Sequence, residues 1–157
     1  MLFNALRLGF LVLPERLVGA FEAIRSFIDR HPPTLDRAVL AEFIAEGHFG
    51  HHVRRMRQTY AERASVLQEA ERKHLRGSVD IVAPAAGMRT IGWLKTRSTD
   101  NEIAQRGWSL GLDLTALSEF IMRHSHPTAL ILGFAGCNAG ELRRGVNVLA
   151  GAIESAG

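Results

Sequence analysis

Apolar residues recur at helical spacing throughout the region from Pro14 to about Arg76, and this feature limits the possible folds more than any other. The pattern predicts three helices, which run from Pro14 to near His31, from Thr34 as N-cap to Gly47, and from about Gly50 to Arg76. At 1.5 Å per residue the last helix is expected to extend for nearly 40 Å. A helix of that length can connect two domains.

The segment before this helical region has a different pattern. Residues Leu6 to Leu13 form a nearly continuous apolar run that Pro14 ends, which is typical of a strand buried on both faces of a mostly parallel sheet. The run is too short to span a bilayer, since that takes about 20 residues. A parallel strand needs neighbours, and the helices that follow offer none nearby.

After Gly77 the pattern changes to short strands separated by turns and helices. The predicted strands are Val79 to Val82, Met88 to Leu94, Leu110 to Leu114 and Ala129 to Ala135. Capping-box pairs, Thr99 with Glu102 and Asn138 with Glu141, predict the starts of two helices, the first closed by Gly107. The final helix is expected to bury Leu142, Val146, Leu149 and Ile153. This half therefore predicts an α+β unit with helices on one face of a small sheet.

Composition narrows the class of protein. The chain has 157 residues, of which 46% are apolar and 22% charged, and this composition predicts a folded domain and not a disordered one. A net charge of +3 does not indicate a surface built for nucleic acid. Cys137 is the only cysteine, so no internal disulfide can form, which suits a reducing cytoplasm.

Several sequence segments together resemble one protein family. The opening L-F-N-A-L-R-L-G-F-L-V-L-P, residues 2–14, is similar to the segment that follows the Schiff-base lysine in fold-type I pyridoxal-phosphate (PLP) enzymes, with matches at Arg7, Gly9 and Phe10. The version found in MocR-like (GntR-type) transcription regulators is closest. Pro32 to Arg63 resembles the long-helix region of that family, and residues 111–118 and 129–136 resemble it more weakly.

This resemblance implies a fold, a cofactor and one site residue. The fold class is α/β, with an α+β C-terminal small domain of the PLP-dependent transferase fold at 48–157, entered by the long helix. Residues 1–47 correspond to a strand and helices of the large cofactor-binding domain. The implied cofactor is pyridoxal 5'-phosphate, and Arg7 is the implied ligand of its phosphate.

The sequence also departs from the family pattern. By the family's spacing, the lysine that binds PLP would fall immediately before Met1, and Asn4 stands where proline is usual. Ile131 takes the place of the arginine that holds a substrate α-carboxylate in aminotransferases. Ordinary transamination by this chain alone is therefore not expected, PLP binding by it is doubtful, and whether it is an enzyme stays open.

Other residues have simpler interpretations. His48, His51 and His52 favour a solvated helix start over a metal site, and no metal is predicted. The basic stretch from Arg54 to Arg63 favours an amphipathic surface, Cys137 with the turn His124 to His126 favours a structural role, and Trp93 and Trp108 are expected in the core.

Three functional hypotheses remain. The chain is a non-catalytic C-terminal fragment of an aminotransferase-like regulator, or it assembles with an upstream half that carries the lysine, or it is a homo-oligomeric interaction module. The apolar faces of Leu6 to Leu13 and of the first helix motivate a homo-oligomer, because large apolar surfaces are rarely left uncovered. We expect a cytoplasmic protein without direct nucleic-acid or membrane binding.

Overall fold

The computed structural model describes residues 7–28, 33–75, 77–84, 87–122 and 126–155. Within these ranges the chain forms helices α1 (Glu15–Ile28), α2 (Thr34–Ala45), α3 (His48–His74), α4 (Asp100–Ser109) and α5 (Ala139–Glu154), a 3-10 helix (Leu117–Phe120), and strands β1 (Val79–Ile81), β2 (Arg89–Leu94), β3 (Thr115–Ala116) and β4 (Ala129–Gly133). The chain divides into two compact units, Met1–Arg54 and Arg55–Gly157, with the division inside α3. The domain boundary expected between residues 47 and 48 stays a prediction.

The predicted strand at Leu6 to Leu13 is wrong for the part that the structure describes. Residues 7–14 have no regular secondary structure. The side chains of Phe10, Leu11 and Val12 are 89%, 73% and 88% exposed. A strand needs a neighbour that pairs with its backbone N–H and C=O groups, and the described part of the first unit contains none. Leu6 lies outside the described residues.

The three helices predicted before Gly77 are present, with differences at their ends. Pro14 directly precedes α1, and its carbonyl accepts a hydrogen bond from the N–H of Leu17 at 2.9 Å. Thr34 is the first residue of α2 and not its N-cap, because the carbonyl of Pro33 already accepts from the N–H of Arg37 at 3.2 Å. Gly47, with φ +81°, follows α2. The expected end of the first helix at His31 lies outside the described residues.

The second unit contains a four-stranded antiparallel sheet in the order β1-β2-β4-β3. Asp80 pairs with Trp93, and Ile131 pairs with both Ile91 and Thr115. The buried face of β2 carries Thr90, Gly92 and Leu94. The predicted α+β small domain is thus present.

The strand predicted at Leu110 to Leu114 is wrong. Helix α4 continues through Gly107 to Ser109, Leu110 is its C-cap, and Gly111 takes φ +79° in the turn that follows. A Cβ at Gly107 would lie 2.6 Å from Cδ1 of Leu114, so this glycine admits the returning chain instead of ending the helix. The strand in this part of the chain is the shorter β3.

One apolar core joins the sheet to the second half of α3, to α4 and to α5. The four residues predicted to be buried on α5 are confirmed: Leu142, Val146, Leu149 and Ile153 are at most 7% exposed. The buried stripe of α4 ends at Gly107, and the expected core position of Trp108 is wrong, because this side chain is 71% exposed. Burying each large aliphatic side chain contributes about 1.5–3 kcal/mol, so this core accounts for the stability of the second unit.

None of the helices that the structure describes is both long enough and apolar enough to cross a membrane.

Candidate functional site

Arg7 lies in the irregular segment at the start of the first unit. Its side chain is exposed, and its φ of +50° is uncommon for a residue other than glycine. An exposed guanidinium can bind two phosphate oxygens through charge-assisted hydrogen bonds. Residues 8–14 are apolar or glycine, so the segment adds no second side-chain donor. Arg7 can therefore hold a phosphate, but the segment that surrounds it does not form a complete PLP site.

Ile131, which takes the place of the carboxylate-binding arginine, lies in the middle of β4. Its backbone pairs with Ile91 on one side and with Thr115 on the other, and its side chain is half-buried. No charge is present at this position to hold a carboxylate. The sheet thus supplies a rigid place for a substrate-binding residue, but the residue there is apolar.

Of the three histidines near the start of α3, His48 has local partners. His48 Nε2 lies 3.0 Å from Glu46 Oε2, and the ring of His48 lies 5.5 Å from the ring of Phe43. The sequence pattern did not predict the contact between His48 and Glu46. Among the described residues no group of three or more His, Cys, Asp or Glu side chains is arranged to hold a metal ion. These contacts order the turn between α2 and α3.

A buried carboxylate connects α4 to the 3-10 helix of the second unit. Asp100 is 4% exposed. One of its oxygens accepts from the backbone N–H of Ser118 at 3.0 Å, and the other accepts from the Ser118 hydroxyl at 2.9 Å and from the N–H of Asn101 at 3.0 Å. Asn101 Nδ2 donates to the same hydroxyl at 3.0 Å. Every oxygen of the carboxylate thus has a hydrogen-bond donor.

The charge of Asp100 is stabilised by this arrangement. Burial alone would raise its pKa, but the N–H and hydroxyl of Ser118, the N–H of Asn101 and the nearby His126 together lower the pKa below its usual value. An ionised carboxylate whose oxygens are all engaged is not poised to take up a proton near neutral pH. We therefore assign Asp100 a structural role. The capping box at Thr99 predicts the start of α4, but no sequence pattern predicts that Ser118 donates hydrogen bonds to Asp100.

The second unit also contains a cavity of about 90 Å³ between the sheet, α3 and α5. Its walls are mostly aliphatic, with Leu67, Ile131 and Leu149 from three different elements. Asp113 and Glu141 line it and are exposed, so they mark where the cavity opens to solvent, and Cys137 also lines it. No local sequence pattern predicts this cavity, because its lining residues are distant along the chain.

Comparison with known proteins identifies relatives over nearly the whole chain, although no family model matches it. The chain is 36% identical over 160 residues to the probable rhizopine catabolism regulatory protein MocR of Rhizobium meliloti, which covers 99% of this chain and 32% of that protein. It is 23% identical over 149 residues to an uncharacterized aminotransferase of Saccharolobus solfataricus, which covers 95% of this chain and 37% of that protein. The chain thus spans about a third of the length of these curated relatives.

Solved structures show the same relationship at the level of the fold. The α-aminoadipate aminotransferase LysN from Thermus thermophilus, solved with N-(5'-phosphopyridoxyl)-L-leucine, matches 98% of this chain and 39% of its own with a TM-score of 0.86 and 21% identity. The homologues are MocR-type regulators and aminotransferases, and the fold is that of part of an aminotransferase, consistent with the C-terminal part. The family resemblance and the fold class predicted from the sequence are confirmed.

Proposed function

We propose that this chain serves as the C-terminal part of a PLP-binding, aminotransferase-like regulator of the MocR type and does not catalyse transamination by itself. The observation that carries the proposal is the 36% identity to a MocR regulator over 99% of the chain. Ile131 has an aliphatic side chain where aminotransferases have the arginine that binds the substrate carboxylate, and this supports the lack of catalysis. Neither Lys73 nor Lys95 lies in the opening segment that resembles the region next to the PLP-binding lysine.

Within such a regulator, Arg7 is the residue of this chain that would hold the cofactor phosphate. Bound PLP supplies an electron sink for chemistry on amino acids. The exposed guanidinium of Arg7 would fix the phosphate end of the cofactor, and the rest of the binding site would come from outside residues 7–14. The buried core of the second unit would give the small domain its rigidity.

An activity assay tests the lack of catalysis. We expect the purified chain, supplied with PLP and pairs of amino and keto acids, to show no turnover above that of free PLP. Turnover above that level that requires the protein would contradict the proposal.

A cofactor titration tests the role of Arg7. The protein assembled with an upstream segment that carries the lysine is titrated with PLP, and binding is followed by absorbance. Arg7→Ala is expected to weaken binding at least about tenfold, because a hydrogen bond to a charged group contributes about 1.5–3 kcal/mol. Arg16→Ala, an exposed arginine on α1, is the matched control. Equal affinities of the two variants would remove Arg7 from the site.

A second candidate function is a homo-oligomeric interaction module. No residue of α1 or α2 is buried, and Ile24, Phe27 and Ile28 are 57%, 87% and 81% exposed. Apolar surface of this extent is typical of interaction sites. We expect light scattering at micromolar concentration to give a mass above 17.3 kDa, and Ile24→Ser with Phe27→Ser to reduce that mass. A wild-type mass of one chain would contradict this function.

A split regulator is the third candidate, and its discriminator lies in the genome. An upstream reading frame that ends in S-x-x-K would favour assembly with a lysine-bearing half, and the lack of one would count against it. We also propose a cytoplasmic location, and direct binding to neither membranes nor DNA. An electrophoretic shift of duplex DNA by this chain at physiological salt would contradict the last point.

A further inference from the structure

The cavity of the second unit has a composition that suits a ligand. Its volume is about 90 Å³, and aliphatic side chains from α3, β1, β4, α5 and the segment after α4 form most of its walls. Apolar cavities in proteins accept apolar guests, and an enclosed one of about 150 Å³ accepts benzene. A smaller cavity of the same character fits a branched alkyl group of a few carbon atoms.

The charged residues at this cavity all have the same sign. Asp113 and Glu141 line it, and none of the described residues that line it is Lys, Arg or His. Arg143 and Arg144 follow on α5 but do not line it. The carboxylate of Glu141 is fixed in place, since its Oε2 accepts from the N–H of Asn138 at 2.7 Å. The opening is therefore acidic while the interior is apolar.

We propose that this cavity binds a small organic ammonium ion, with its alkyl group inside the cavity and its ammonium group facing Asp113 and Glu141. The aliphatic walls favour the alkyl group through burial of apolar surface. The two carboxylates favour a cation over a neutral or anionic group of the same shape. None of the described residues that line this cavity belongs to the segment that carries Arg7, and the proposal goes beyond the proposed role in holding PLP.

The single cysteine gives a direct reporter of occupancy. Cys137 lines the cavity, is partly buried, and is the only thiol of the chain, so its alkylation by N-ethylmaleimide reports on this place alone. We expect isobutylammonium to slow the alkylation saturably. Isobutanol, a neutral molecule of the same shape, is expected to bind about fivefold more weakly, the effect of one solvated ion pair at contact distance. Ionic strength is held constant with sodium chloride.

Variants of the two acidic residues test the charge requirement. Asp113→Asn and Glu141→Gln are expected to lower the affinity for isobutylammonium towards that for isobutanol and to leave the affinity for isobutanol unchanged. Glutamine at 141 can still accept the capping-box hydrogen bond, so the start of α5 is preserved. Glu154→Gln removes an exposed acid of α5 outside the cavity and is the matched control.

A variant of the wall tests the location. A Cβ at Gly145, which lines the cavity, would lie 3.4 Å from Cδ1 of Leu112, a normal contact distance. Gly145→Ala is therefore expected to fold and to weaken both guests several-fold by occupying part of the space. Calorimetric titration measures the same affinities without the thiol reaction.

Three outcomes would contradict the proposed ammonium site in different ways. Equal binding of amine and alcohol that the acid variants do not change would overturn the ammonium specificity. No protection of Cys137 and no heat of binding with either guest would overturn the site and leave a packing void. Protection that Gly145→Ala does not weaken would place the guest elsewhere.

Discussion

The two units of the chain contrast in what they bury. All buried residues among those described lie between Leu67 and Ile153, whereas α1 and α2 contain none. Both units carry large apolar side chains at helical spacing, so the difference does not come from composition. It comes from the presence or absence of a sheet for the apolar faces to pack against.

Helices α1 and α5 make the contrast specific. The stripe of α5 at Leu142, Val146 and Leu149 is at most 5% exposed, while Phe21 and Phe27 in the corresponding pattern of α1 are 42% and 87% exposed. An amphipathic pattern states which side of a helix is apolar. It does not state whether the same chain supplies the surface that covers that side.

The strongest test of this contrast compares two phenylalanines. Phe134 is 1% exposed in the second unit and Phe27 is 87% exposed in the first. We expect Phe134→Ala to lower the free energy of unfolding by about 3–5 kcal/mol, because it leaves a cavity in the core. Phe27→Ala is expected to change it by less than about 0.5 kcal/mol in dilute solution.

Urea unfolding followed by circular dichroism measures both values. If Phe27→Ala is destabilising only at high protein concentration, an interface covers α1, and the contrast between the units describes one chain and not the assembly. Equal losses for the two variants in dilute solution would remove the contrast.

The two units also differ in their polar contacts, for which we expect smaller changes in the free energy of unfolding. Ser118→Ala removes the hydroxyl that donates to the buried Asp100, and we expect a loss of about 1.5–3 kcal/mol at neutral pH. In the first unit, Glu46→Gln alters the contact between Glu46 and His48, whose side chains are 56% and 60% exposed. The expected change there is below about 1 kcal/mol.

The pH dependence provides an independent measure of the Asp100 contact. The folded-state pKa of Asp100 is lower than its ordinary value, so its stabilising contribution is present above the unfolded-state pKa and is lost as pH falls through the folded-state pKa. We expect the decrease in unfolding free energy at acidic pH to be smaller in Ser118→Ala and in Asp100→Asn than in the wild type. An unchanged acid dependence in Asp100→Asn would show that other carboxylates are responsible.

The smallest expected effect concerns two threonines at helix starts. Thr99 accepts from the N–H of Glu102 at 3.3 Å and receives the reciprocal capping-box bond, whereas Thr34 is the first residue of α2, whose N-cap makes no side-chain hydrogen bond. Thr99→Ala should cost about 1 kcal/mol, and Thr34→Ala less than about 0.5 kcal/mol. Thermal unfolding of the two variants separates these values, and a similar cost for both would show that the capping hydrogen bond of Thr99 does not account for the difference, since alanine itself has the higher helix propensity.

Local signals explain which parts of the fold were predictable. Both capping boxes, at Thr99 and at Asn138, are present as predicted, because they depend on residues only three positions apart. The interpretation of Gly107 as a helix end was wrong, because this glycine serves a contact with Leu114 from beyond the helix. The alternation from Leu110 to Leu114 predicts a strand, but the Leu114 side chain lies against Gly107 of α4, and the local pattern does not reveal that contact.

The candidate sites also differ in how far apart their residues lie along the chain. Arg7 was found through a motif of adjacent residues, and its role in phosphate binding stays a prediction. The ligands of Asp100 and the lining of the cavity were not found, since Ser118 lies 18 residues away and the cavity joins positions from Leu67 to Leu149. Only a folded sheet brings those positions together.

The sequence by itself determined the presence of the helices, the capping boxes at the starts of α4 and α5, and the family resemblance, because each depends on residues that are close along the chain. The tertiary structure decided which apolar faces became a core, where the strands paired, and that residues 7–14 formed no strand. The physical reason is that burial and backbone pairing need a partner surface. The local pattern of a segment carries no information about whether that partner exists in the same chain.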